Sequence, residues 1–125
     1  MLRLTLLLVL SFQALMGYSS HAINAYAVAI YNEFMKEEPL QGIHTTIKDY
    51  NGIVYTKIYA FGTFLHDKPH VKIGNSKGSL ERENPIIKNG LIIGYEMLFK
   101  HFTVQSGYLE VYIGEKLFDR SVYVK

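Results

Sequence analysis

The chain has 125 residues, which suits one domain, and a formal net charge of +2 with no dense basic run, which argues against nucleic-acid binding. It has no cysteine, so neither a disulfide scaffold nor a thiol nucleophile is available. Stability must come from an apolar core, which 49% hydrophobic content with ten Tyr and seven Phe can supply.

The N-terminus reads as a leader. Arg3 precedes the apolar run Leu4–Leu10, which extends to Leu15 and Met16, and Gly17, Ser19, Ser20 and Ala22 follow. Charge, apolar stretch and small residues in that order predict a secretory signal peptide, and Ser20-His21-Ala22 fits the small-x-small cleavage rule. The expected division is residues 1–22 as leader and 23–125 as a secreted domain, with no membrane association after cleavage because the run is short for a span. No Asn-x-Ser/Thr site is present.

Ala22–Glu38 (AINAYAVAIYNEFMKEE) spaces Ile23, Tyr26, Ala27, Ile30 and Phe34 as one apolar stripe, and Pro39 stops whatever precedes it. That spacing predicts an amphipathic helix. Beyond it the pattern is of strands and tight turns. Ile43–Tyr50 and Ile53 to about Leu65 flank Asn51-Gly52, a strong hairpin signal, and Gly62 suggests a bulge or bend. His70–Ile73 reads as a short edge strand and Ser79–Asn84 as a solvated loop or a single helical turn. Asn89-Gly90 precedes Leu91–Val104, a long strand bent at Gly94, with a helix over Tyr95–Phe102 as the alternative. Tyr108–Ile113 and Leu117–Val124, joined through Gly114-Glu115-Lys116, alternate as a hairpin. One helix before a meander gives an α+β expectation: an N-terminal helix packed on a curved antiparallel sheet of four to six strands.

Two segments carry a resemblance. Tyr26-Ala27-Val28-Ala29-Ile30-Tyr31-Asn32 resembles the cystatin helix, and Lys116–Lys125, after Gly107–Val111, resembles a C-terminal strand of plant-type cystatins. The resemblance implies a cystatin-like fold and a papain-like cysteine protease as partner, inhibited by loops inserted into its cleft. Ile58-Tyr59-Ala60-Phe61-Gly62 and Thr103-Val104-Gln105-Ser106-Gly107 are the two candidates for the first binding loop. Both keep the loop Gly, and neither has the family's leading Gln. The chain has no Trp for the second loop, and Gly17 precedes the expected cleavage site.

A second reading is a β-rich binding protein for a small apolar ligand or a surface partner. Gly62-Thr63-Phe64-Leu65 with Lys68-Pro69-His70-Val71-Lys72 resembles the start of transthyretin-like sandwich proteins, without their paired cysteines. His66-Asp67-Lys68-Pro69-His70 is the densest titratable cluster, but Pro69 spoils the helical spacing that two metal-binding histidines would need. No cofactor motif appears. Ser106 lacks the leading Gly and strand-to-helix setting of a nucleophile elbow, so no enzyme is expected.

Overall fold

A computed structural model describes residues 22–62 and 67–125. The leader expected over residues 1–22 lies outside the described residues but for its last one. The described chain is all-β, with nine strands in two antiparallel sheets: β1 Ala22–Tyr31, β2 Glu37–Pro39, β3 Gly52–Gly62, β4 Pro69–Ile73, β5 Ser76–Lys77, β6 Ser79–Lys88, β7 Leu91–Val104, β8 Gly107–Ile113 and β9 Lys116–Val124. One sheet has the order β2-β1-β3-β7-β6 and the other β5-β4-β8-β9. The hairpins β4–β5, β6–β7 and β8–β9 each stay within a sheet, while the chain crosses between sheets from β3 to β4, β5 to β6 and β7 to β8. This is the Greek-key strand order of immunoglobulin-type sandwiches, with the β1 side of one sheet lying against β9 and β8 and the β7 side against β4 and β5. Strand order describes architecture and carries no function by itself.

The α+β expectation is therefore corrected. Among the described residues there is no helix, and Ala22–Glu38 forms β1, a turn and the start of β2. The physical reason lies in β1 itself. Ala25, Ala27 and Ile30 face the core, whereas Ala29 and Tyr31 face outward, and a register irregularity between Ala27 and Ala29 shifts the parity. A strand with such a shift imitates a helical stripe. Its ladder partner β3 gives every turn of sequence a hydrogen-bonded neighbour, which a short isolated helix lacks. The polar run after Tyr31 is a turn: the Asn32 side-chain oxygen accepts the Phe34 and Lys36 amides at 2.9 and 3.0 Å, and Met35 sits at φ 61°. Pro39 ends the edge strand β2, a position where no ladder donor is required.

Two further expectations change. Ile43–Tyr50 is not a strand paired through Asn51-Gly52. It is a strap that leaves the five-stranded sheet and runs parallel to β9, with Thr45 bridging Tyr123. The Thr46 amide donates to the Tyr123 carbonyl at 2.9 Å, Tyr123 donates to His44 at 2.8 Å, and Tyr50 to Lys125 at 2.8 Å. Gly52 then turns the chain into β3 at φ 76°. Ser79–Asn84 is the first half of β6, an exposed edge strand whose Glu81, Arg82, Glu83 and Pro85 discourage further pairing. By contrast, β7 spans Leu91–Val104 and β8 and β9 form the expected hairpin, but two register irregularities between Leu109 and Tyr112 break the expected alternation of β9 and set Asp119 opposite core-facing Val111.

The core lies between the sheets. Ile30, Val54, Ile58, Val71, Ile73, Phe99, Leu109, Val111 and Val124 are among its buried members, drawn from both sheets. At one margin the sheets are tied by the Asp119 carboxylate, which accepts the Ala27 amide at 2.9 Å. At the other, the His101 ring lies against β5, within 3.1 Å of the Ser76 carbonyl.

Candidate binding face

The outer face of a solvated sheet is ordinarily polar. In the five-stranded sheet the residues on that face line up in rows across β1, β3, β7 and β6. The first row is Asn24, Phe61, Gly94 and Ile86; the second is Tyr26, Tyr59, Glu96 and Asn84; the third is Ala29, Lys57, Leu98 and Arg82; the fourth is Tyr31, Tyr55, Lys100 and Ser79. Aromatic and apolar side chains fill half of these positions. Tyr26, Tyr59 and Phe61 form a ring triad with centroids 6.0–6.3 Å apart, two of the contacts edge-to-face. Phe61 folds over Gly94, where an added Cβ would run into the Ala60 carbonyl oxygen and the Phe61 ring. Ala29, Tyr31 and Leu98 make a second small buried cluster, with Tyr55 packed on it. Phe102, beyond the fourth row, is 51% exposed.

The charges on this face rest on the rings. Lys57 Nζ lies 5.6 Å from the Tyr31 ring centre and 3.9 Å from Glu96. The Tyr31 hydroxyl raises the Lys57 pKa, against the opposing effect of burial, while burial raises that of Tyr31. Tyr31 also donates to Glu37 at 3.0 Å. Lys100 Nζ sits between Tyr55 and Phe102, 5.7 and 5.1 Å from their ring centres. Its ammonium makes no ion pair with a described carboxylate.

The outer face of the other sheet is different because its charges satisfy one another. Glu110 forms ion pairs with both Lys72 at 3.7 Å and Arg120 at 3.2 Å, and Arg120 stacks 4.1 Å from the Tyr108 ring centre. His70 stacks on Tyr112 at 5.2 Å and bonds the Gly114 carbonyl through Nε2 at 2.7 Å. His70 is thus held by a ring and a backbone oxygen, while His66 lies outside the described residues. Among the described residues no three His, Asp or Glu side chains come together as a metal site, and no helix is long and apolar enough to cross a membrane.

The two protease-loop candidates separate. Ile58–Gly62 is the second half of β3, not a loop: Ile58 and Ala60 are fully buried in the core, and Tyr59 and Phe61 belong to the outer face. Thr103–Gly107 spans the end of β7, the two-residue link Gln105-Ser106 and the first residue of β8. Val104 is buried, Thr103 takes φ 51°, and Gly107 opens β8. Thr103, Gln105 and Ser106 line a depression of about 330 Å³ with Gly74, Asn75 and Ser76. Because Phe61 pairs with Gly94 and Gly52 with Val104, the two candidates sit at opposite ends of the sheet, roughly 30 Å apart at the usual rise per residue. Of these two alternatives for one loop, only Thr103–Gly107 reaches a turn between strands.

Sequence reasoning singled out Tyr59 and Phe61 but missed Tyr26, Tyr31, Tyr55, Leu98 and Lys100 as their neighbours. The alternation Tyr55-x-Lys57-x-Tyr59-x-Phe61 is the signal that finds one line of this face; the rows across strands need the register. Comparison with known proteins adds no relative: no family model, no curated protein and no solved structure matches this chain.

Proposed function

We propose that this chain is a secreted β-sandwich recognition module that binds a protein partner through the outer face of its five-stranded sheet. The observation that carries the reading is the run of aromatic and apolar side chains on that face, with Tyr26, Tyr55, Tyr59 and Phe61 only half-buried. Tyrosine and phenylalanine presented with cations are what protein interfaces concentrate, since such rings contribute large contact areas at low entropic cost. A core packed between the sheets favours a surface partner over an enclosed apolar ligand. The protease-inhibitor reading is not carried forward, because the helix-and-wedge layout it needs is absent from the described residues.

The test compares three immobilised forms with extracellular fluid from the source tissue: the unaltered chain, the Tyr59→Ser/Phe61→Ser variant, and Tyr112→Ser on the opposite face. A partner retained by the first and third but lost with the second supports the reading. Equal retention by all three sinks it.

A further inference from the structure

Building on that reading, we propose that the partner is a second copy of this chain, docked face to face about a two-fold axis. The axis lies in the interface and crosses the strands at right angles through the row Ala29, Lys57, Leu98 and Arg82. A two-fold so placed sets the second row of one copy on the fourth row of the other. Glu96 then meets Lys100 of its mate, twice. Tyr59 meets Tyr55, and Tyr26 meets Tyr31. An axis parallel to the strands does not do this; it leaves Glu96 and Lys100 both facing uncharged or aromatic neighbours.

The charge that the single chain leaves open, Lys100, finds a carboxylate in this arrangement, and Glu96, already paired with Lys57, gains a second cation. Lys100 is pinned between two rings with no described carboxylate partner, and the nearest row bearing a carboxylate on β7 is that of Glu96, two rows away and out of its own reach. The axis also sets Lys57 and Arg82 against their own copies. Lys57 leans onto Tyr31 and Glu96, and Arg82 lies on the exposed edge strand where it turns to solvent. The footprint is modest. Five strands about 4.8 Å apart and rows about 6.8 Å apart give a projected area on the order of 500 Å² per copy, in the range of transient complexes. That footprint places the pair among weak, transient associations.

Sedimentation equilibrium on the protein as expressing cells process it, from about 5 to 500 µM, reads the association directly. Lys100→Glu and Glu96→Lys each set two like charges against each other in a self-pair and should weaken it at least about tenfold. Mixing the two variants restores both opposite-charge contacts, so the mixture should associate where neither variant does alone, an outcome that misfolding cannot produce. Lys57→Met should tighten the pair by removing one of the two like-charge contacts on the axis. A chain that stays monomeric throughout, or variants that associate normally, or a mixture that fails to recover, overturns the proposal. If the chain is monomeric yet Tyr59→Ser/Phe61→Ser still abolishes capture of a different protein, the second-copy proposal falls and the broader reading of the face stands.

Discussion

Two buried polar residues govern how much of this fold survives substitution and acid. Glu38 is 5% exposed, and its carboxylate accepts the Ile47 amide at 2.6 Å, the Lys48 amide at 3.1 Å and the Tyr50 hydroxyl at 2.8 Å. It is the buckle of the strap. Glu38→Ala orphans the buried Tyr50 hydroxyl, at about 1–3 kcal/mol, while the Ile47 and Lys48 amides, on exposed residues, turn to water. A loss of roughly 2–3 kcal/mol in urea unfolding is expected, with Glu38→Gln losing less because one acceptor oxygen remains. His101 is fully buried, with Nε2 accepting the Thr56 hydroxyl at 2.9 Å and Nδ1–H donating to the Ser76 carbonyl. Burial lowers its pKa from 6.5 to about 4, against the opposing pull of the Ser76 bond. The folded state therefore binds fewer protons than the unfolded state between those values, and stability rises with pH through that window. The contribution is complete above pH 6.5 and falls by on the order of 3 kcal/mol towards pH 4. His101→Gln should flatten that slope in a series of thermal melts from pH 4 to 7, whatever it does to stability at neutral pH.

Strands that alternate cleanly or sit on a strong turn signal were legible, and those with neither were not. β8 alternates and Gly114 turns it back into β9, so the hairpin is plain in the sequence, although β9 loses its parity at two register irregularities. β1 carries a parity shift and alanines at 25, 27 and 29, so its residues satisfy a helical template equally well until β3 is placed beside it. β6 (SLERENPIIK) is polar and exposed along most of its length because it covers only the edge of the sheet, so nothing in its composition separates it from a loop. Gly94 was readable as a bend in β7, but not for its actual purpose: the Phe61 ring and the β3 backbone occupy the space of its missing side chain. Gly94→Ala must push β3 and β7 apart at a backbone contact. A cost of about 2–3 kcal/mol is expected, measurable as a lower unfolding midpoint, together with altered near-ultraviolet dichroism as the ring triad is disturbed.

At the scale of the whole molecule, neighbours in sequence explain little. β1 pairs with β3 across the strap, β3 with β7, and β4 with β8, so the sheets are built from distant contacts. Local pattern identifies individual strands; it does not say that a hairpin such as β4–β5 belongs to a different sheet from β6–β7. The candidate face suffered from the same blindness. Tyr59 and Phe61 stood out as a loop motif by analogy, whereas their significance comes from Tyr26 on one side and Gly94 and Glu96 on the other. A sandwich of this size without cysteine or tryptophan relies on aliphatic packing and on ties such as Asp119 to the Ala27 amide where antibody domains use a cystine.

The strap beside β9 has a mechanical consequence. Thr46 and Tyr50 donate to Tyr123 and Lys125, Tyr123 donates to His44, and the Lys125 amide donates to the Thr46 hydroxyl. These links join two stretches that point the same way, so a force drawing them lengthwise past each other loads all of them together instead of opening them one by one. Pulled through residues 22 and 125, the domain would load this clasp in shear, and Glu38, which holds Ile47, Lys48 and Tyr50 of the strap, would set how suddenly it lets go.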